Sequence, residues 1–331
     1  MYRFKTSVAC VCVWLLLIVL TLHRRASWPA HDASDSTTPP TRYAIATFLT
    51  GDSAEDSDEG GYFTAARVLT YQLIHANETC IRDRNRRRID WVVAVTNDVP
   101  ESNRQQLRQD GAIVVPVQDV GLPSWIKIPI HRWKDQFTKL RLIQMTQYTR
   151  LLFIDADSLL TRPIDDVFDE LAVREPKRTV PDRPWEGGGT YVDEYVFAAR
   201  PDNGYRQGHD HVVPPDPMAR SDYFNAGFWV TRPSEEMFSL FMHVMALNDS
   251  FPSVMMEQSM LNHIFRHDGP MPWEELNWRW NANYPNARDL AAGVRCLHQK
   301  FWQEGDEHLR SLWHSWRARM ENYYRGIEAS K

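Results

Sequence analysis

The sequence predicts an α/β fold on a mixed, mainly parallel central sheet, and three observations carry that expectation. From Arg42 to about Leu171, short apolar runs alternate with amphipathic helical patterns, the signature of a parallel sheet covered on both faces. Neither a convincing linker nor an internal repeat divides the body, so one domain is the economical reading. One apolar run, "LLFID", closes on Asp155 with Asp157 just beyond, and ligands of such sheets collect at the carboxyl ends of strands.

The elements follow in order. "RYAIATFL" reads as a strand and "GYFTAARVLTYQLIHA" as an amphipathic helix. "IDWVVAVT" is again strand, "PESNRQQLRQ" helix and "AIVVPV" strand. "DQFTKLRLIQMTQ" has helical spacing, and "RLLFID" is the fourth strand. A helix is expected from Pro163, its first turn carrying Asp165, Asp166 and Asp169, where acids suit the dipole. "TYVDEYVFAAR" and "DYFNAGFWVTR" read as strands, "SEEMFSLFMHVMAL" and "SVMMEQSMLNHIFR" as helices, and "LNWRWNANY" and "GVRCLHQKFW" as extended pieces. Residues 174–221, rich in Pro, Gly and charge, read as long loops around a site. At the C-terminus, Leu309, Trp313, Trp316, Met320 and Tyr323 fall at helical spacing and are expected to pack on the domain.

Composition excludes some function classes. The chain has 331 residues, 43% of them hydrophobic, with 13 Trp and a net charge of −5. That sustains a large core and gives no footprint for nucleic acid. The one dense basic run, "RDRNRRR" at 82–88, has no interleaved aromatics and reads as a solvated helix end. No Gly-x-Gly-x-x-Gly follows the first strand; "TGDSAEDSDEGG" stands there instead, which argues against a dinucleotide fold. That acidic loop reads as solvated and pointing away.

The N-terminus carries a topology expectation. Residues 6–22, "TSVACVCVWLLLIVLTL", form an uncharged apolar run between basic flanks, near the lower limit of about 17 residues for crossing a bilayer. The reading is a cytoplasmic tail over 1–5, an uncleaved signal anchor over 6–22, a Pro-rich stem over 23–41 and a catalytic domain over 42–331. Acceptor triplets for N-glycosylation at Asn77 and Asn248 fit a lumenal body. The expectation is therefore a single-pass type II protein of the Golgi or another secretory-pathway membrane, attached to the bilayer by this anchor. Cys80 and Cys296 are the body's two cysteines; a disulfide stays open, and two free thiols are favoured.

Asp155 and Asp157, separated by small Ala156, can aim at one point. Two carboxylates so close repel and resist burial, unless a divalent cation compensates them. Hard oxygen donors suit Mg²⁺ or Mn²⁺. A pair of surface acids at a turn is the plainer alternative; it explains Asp155 poorly, because that residue ends an apolar strand.

At this point the sequence resembles a known family. Residues 137–168, "FTKLRLIQMTQYTRLLFIDADSLLTRPIDDVF", look like the centre of the family 8 glycosyltransferases, the group of glycogenin and bacterial galactosyltransferases. The likeness continues in "YFNAGFWVTRPS", "MEQSMLNHIF" and "LHQKFW", in the same order. It implies a GT-A nucleotide-sugar fold and a Mn²⁺-dependent (Mg²⁺ possible), anomer-retaining transfer of a hexose-type sugar from a UDP-sugar. The acceptor would be a hydroxyl of a glycan, glycoprotein or glycolipid. Carried over by position, Asp155, Asp157 and His298 would hold the metal, and Lys300 would contact the diphosphate. Thr47 and Phe48 would hold the uracil, with Tyr62 and Lys139 in the donor pocket. Asn225 and Gln258 would bond the donor sugar. Glu257, where relatives carry Asp, would orient the acceptor hydroxyl or assist its deprotonation. The terminal motif departs from the family in its short His298–Lys300 spacing and in Phe301, which replaces a proline. The alternatives are a non-catalytic glycan-binding partner of another transferase and, further off, a metal-dependent phosphohydrolase.

Overall fold

A computed structural model of the protein describes residues 41–51, 61–82, 88–130, 133–183, 185, 191–205, 207–218 and 221–329. The expected anchor, nearly all of the stem, most of the acidic loop and most of the basic run lie outside these residues. The expected membrane location is corrected: no helix of the described residues is long and apolar enough to cross a bilayer, so nothing in the described fold supports a Golgi or other secretory-pathway membrane.

Seven strands form the central sheet. They are β1 (Arg42–Leu49), β2 (Arg88–Val95), β3 (Ile113–Pro116), β4 (Arg150–Ile154), β8 (Phe197–Pro201), β9 (Phe224–Thr231) and β10 (Glu274–Glu275), in the order β10-β8-β9-β4-β1-β2-β3. β1 to β4 pair in parallel, as do β8 and β10; β9 runs antiparallel to both neighbours. The mixed, mainly parallel α/β fold is thus the one expected. A smaller sheet orders β11 (Asn281–Asn283), β12 (Cys296–His298) and β5 (Ser158–Leu160), and β6 (Lys177–Arg178) pairs with β7 (Glu194–Tyr195).

Strand alternation assigns the side chains to two cores. Ala44, Ala46, Phe48, Phe153, Phe197 and Trp229 face helices α4 (Glu235–Ala246) and α5 (Met256–Ile264). Ile45, Val93, Leu152, Ile154 and Phe228 face Leu69 of α1 (Tyr62–Ile74) and Leu107 of α2 (Glu101–Asp110). Local chemistry sets the helix ends. The Ser234 hydroxyl accepts from Met237 N at the start of α4, and Gly111, at φ 110°, closes α2 in the left-handed region.

Three expected elements differ. The helix over 135–147 is a 3₁₀ helix, Gln136–Gln144, burying Phe137, Thr138, Lys139, Leu140, Leu142 and Ile143. So much of its circumference is covered that tertiary packing, not an α-helical stripe, decides its form. The helix expected from Pro163 is a 3₁₀ turn, Asp165–Asp169, followed by the short α3 (Leu171–Arg174). Asp165 there is buried and accepts from Arg82 N. The C-terminal helix α6 (Glu307–Ala329) packs on the domain through Leu309, Trp313, Trp316 and Met320, with Tyr324, not Tyr323, completing the stripe. Cys80 and Cys296 are both free thiols, and burial pushes the Cys296 thiol up to about 12.

One buried amide ties α1 to the strand that follows the acidic pair. Gln72, wholly buried, donates Nε2 to Leu160 O at 2.7 Å and accepts Leu160 N on Oε1 at 3.0 Å. It completes the free edge of β5, whose other edge pairs with β12. A Gln72→Leu variant orphans both backbone groups, at about 1–3 kcal/mol each. Chemical denaturation should show that loss, against a smaller effect for Gln72→Glu at low pH, where a neutral carboxyl keeps one donor and one acceptor.

Candidate active site

A cavity of about 270 Å³ opens at the carboxyl ends of β1 and β4. Asp155 leaves β4 with its N–H donated to Gly227 O of antiparallel β9 at 2.9 Å. Asp157 precedes β5, and its carbonyl accepts Gln299 N at 3.0 Å. Because β5 pairs with β12 in the register Ser158 to His298, a residue from the far end of the chain arrives beside the acidic pair. His298 Nε2 lies 3.1 Å from Asp157 Oδ1 and 3.6 Å from Asp155 Oδ2.

One ligand atom from each of Asp155, Asp157 and His298 falls within 4.8 Å of the others. Two carboxylate oxygens and an imidazole nitrogen form a donor set that suits Mn²⁺-type ions. The other ring nitrogen, Nδ1, is buried without a hydrogen-bond partner among the described residues. It packs on Gly227, where an added Cβ would stand 2.1 Å from His298 Cε1, 2.6 Å from Nδ1 and 2.7 Å from Asp155 Oδ2. Glycine is required at that position by contact, not by backbone angle.

The charges are arranged in two layers. Lys139, 3% exposed, lies 2.9 Å from Glu257 Oε1 and 3.3 Å from Asp155 Oδ1. Burial lowers its pKa, but Asp155 and Glu257 together outweigh burial and hold the ammonium above its ordinary range. Glu257 shifts upward, because burial outweighs the pull of Lys139. Burial opposes ionisation of Asp157 too; His298 and Lys300, whose Nζ stands 3.8 Å away, reverse it and hold the carboxyl well below the usual range. His298 is raised: burial lowers it, and the two aspartates prevail. A divalent cation at this point would supply the compensating charge instead.

All the expected site residues except Thr47 line this cavity: Phe48, Tyr62, Lys139, Asp155, Asp157, Asn225, Glu257, Gln258, His298 and Lys300. Thr47 is corrected. It is wholly buried, and its hydroxyl has no partner among the described residues. Side chains alternate along β1, and Phe48 and Thr50 take the cavity side.

Asp202 was missed. It is 5% exposed and accepts four hydrogen bonds: Asn283 Nδ2 and Gly204 N at 2.7 Å on Oδ1, and Gln258 Nε2 at 3.1 Å and Asn225 Nδ2 at 3.3 Å on Oδ2. Gln258 Oε1 in turn accepts Ala226 N at 2.9 Å. Asp202 therefore orients three amides of the cavity wall without lining it. Its signal was present: "FAARPD" puts an acid directly after an apolar strand, as "LLFID" does. Asn283 and Tyr284 also line the cavity and had been read only as extended backbone.

Two substitutions test this geometry. Gly227→Ala should displace His298 and weaken Mn²⁺ binding by about 10–100-fold in a calorimetric titration, the range for disturbing a ligand's support. Asp202→Ala should lower the unfolding free energy by about 2–5 kcal/mol, since buried donors lose a charged acceptor, while Asp155 and Asp157 still bind the ion.

No family model matches the chain. An uncharacterized protein of Schizosaccharomyces pombe is 27% identical over 303 residues, covering 83% of this chain and 77% of that protein; a second from the same yeast is 28% identical over 292 residues, covering 78% and 73%. Galactinol synthase 1 of Ajuga reptans is 27% identical over 182 residues, 53% of this chain and 50% of its own length, so the chain spans about half of that relative. Among solved structures, apo glycosyltransferase GlyE of Streptococcus pneumoniae TIGR4 superposes with a TM-score of 0.49 at 15% identity, covering 87% of this chain and 64% of its own. Apo mouse xyloside xylosyltransferase 1 superposes with a TM-score of 0.46 at 14% identity, covering 78% and 98%. The sequence similarities, with the acidic cavity at the strand ends, support a glycosyltransferase.

Proposed function

We propose that the protein is a metal-dependent glycosyltransferase of the GT-A type, moving a hexose-type sugar from a UDP-sugar to a hydroxyl of a glycan acceptor with retention at the anomeric carbon. The observation that carries this reading is the convergence of Asp155, Asp157 and His298 on one point of the cavity, with Lys300 alongside. Bound there, Mn²⁺ or Mg²⁺ would supply positive charge for the diphosphate of the donor.

The chain's own groups have distinct parts in this proposal. Lys300 reaches the leaving diphosphate and offsets the charge that grows as the anomeric C–O bond breaks. Phe48 and Tyr62 wall the nucleotide end, and Asn225 and Gln258, held by Asp202, present the sugar to the acceptor. Lys139 joins the metal layer to Glu257. A carboxylate so engaged is poorly placed to attack the sugar, which supports same-face attack by the acceptor hydroxyl. Its proton then passes to the diphosphate oxygen that leaves, and Glu257 orients the hydroxyl.

The test is a panel of UDP-sugars with the purified full chain, following UDP release and sugar transfer with Mn²⁺ and with EDTA. The expected outcome is Mn²⁺-dependent release from one or two donors, lowered by about 10²–10³-fold in Asp155→Asn and Lys300→Ala. Turnover unaffected by chelation would overturn the metal assignment, and a trapped glycosyl adduct on Glu257 would overturn same-face attack.

A further inference from the structure

Next to the catalytic cavity lies a second, shallower depression of about 540 Å³, walled among others by His209, Asp210, Asn286, Arg288 and Gly305. Two chain segments pass from one space to the other. Tyr284 lines the first and Asn286 the second; Glu304 lines the first and Gly305 the second. The two spaces are neighbours across a divide one or two residues wide.

Tyr284 stands on that divide. Its φ of 52° lies in the left-handed region, which a bulky residue adopts only when its surroundings hold it there. The ring is held there: it meets His209 edge-on at 5.3 Å, and a Cβ at Gly204 would lie 3.1 Å from Tyr284 Cε2. Glycine at 204 makes room for the ring. The residue nonetheless stays 42% exposed. Backbone strain spent on presenting a half-exposed aromatic beside a reaction cavity suits a platform for an apolar ring face.

The groove beyond it favours hydroxyl groups. Asp210 is exposed, and Arg288 is steadied by its own bonds to His211 O at 3.0 Å and Asn286 Oδ1 at 3.3 Å. Two acids, Asp210 and Asp306, stand there with one cation, Arg288, and the amide of Asn286. A polyanion would meet Asp210 and Asp306, and an apolar chain would stay open to solvent in so shallow a depression. A neutral polyhydroxylated chain satisfies both kinds of group and offers a pyranose face to Tyr284.

We propose that the acceptor is a neutral saccharide of at least two rings, lying across Tyr284 with its reacting hydroxyl in the catalytic cavity and its next ring between Asp210 and Arg288. The placement of the reacting hydroxyl rests on the transferase reading above; the groove as a saccharide site does not.

The experiment is saturation-transfer NMR on the full chain with gluco-, galacto- and manno-configured mono-, di- and trisaccharides. It is repeated for Tyr284→Ala, Tyr284→Phe and Asp210→Ala, with a Mn²⁺ titration on each protein as the check that it has folded. At least one di- or trisaccharide should bind at millimolar concentration, with its monosaccharide about tenfold weaker. Tyr284→Ala should lose about tenfold in affinity and Tyr284→Phe should keep it, the size expected for one aromatic anchor. Asp210→Ala should weaken the disaccharide and leave the monosaccharide as it was; should Tyr284→Ala fail to bind Mn²⁺, this variant decides. Equal binding of mono- and disaccharides, no binding by any sugar, or unchanged affinity in the folded variants overturns the proposal. Saccharide binding without UDP-sugar turnover would retain the groove and reject the transferase reading. Turnover without saccharide binding would do the reverse.

Discussion

Two like charges cannot be held a few ångströms apart inside a protein without compensation, and the architecture around Asp155 and Asp157 answers that constraint. Each carboxylate has its own cation, Lys139 for Asp155 and Lys300 for Asp157, and both face the His298 imidazole. The two lysines come from distant parts of the chain, and Lys300 lies two residues beyond His298. The parallel strands bring the acids to the carboxyl end of the central strand β4, and the antiparallel entry of β9 lays a bare glycine against them. The small sheet then delivers the histidine.

Polar groups behind the cavity follow the same logic. A buried carboxylate is tolerated when several donors converge on it, and Asp202 meets four. The result is a cavity wall whose amides have defined directions before any ligand arrives. Preorganisation of this kind lowers the reorganisation that binding and reaction require.

Much of this was legible in the sequence, and the misses have physical causes. Strands β1, β2 and β4 were readable because both faces of the sheet are buried there, leaving long apolar runs, whereas edge strand β3 is exposed or half-buried and was readable from its β-branched residues. The acids at 155 and 157 stood out because nothing apolar explains them. His298 and Lys300 were found only through a family resemblance; three residues in a short strand carry no pattern that says what lies across from them. Thr47 was misassigned for lack of phase: the strand was correct, but which alternate residue faced the cavity was not visible. Tyr323 and Tyr324 show the same limit in a helix, where one residue turns the stripe by about 100°. Asp202, Asn283 and Tyr284 were missed because the elements that gather them are short and held by tertiary bonds, to which propensity is blind. The membrane reading rested on residues 6–22, and the described fold offers no helix in its support.

The distance along the chain between the acidic pair and its histidine has a consequence for biogenesis. Asp155 and Asp157 are synthesised well before His298, so no complete coordination sphere exists on a partly made polypeptide. A ligand that recognises only the finished arrangement biases the equilibrium toward it by mass action. Under the proposed metal-dependent reading, the supply of that ion would govern how much of the newly made polypeptide persists, in addition to how fast each mature molecule works.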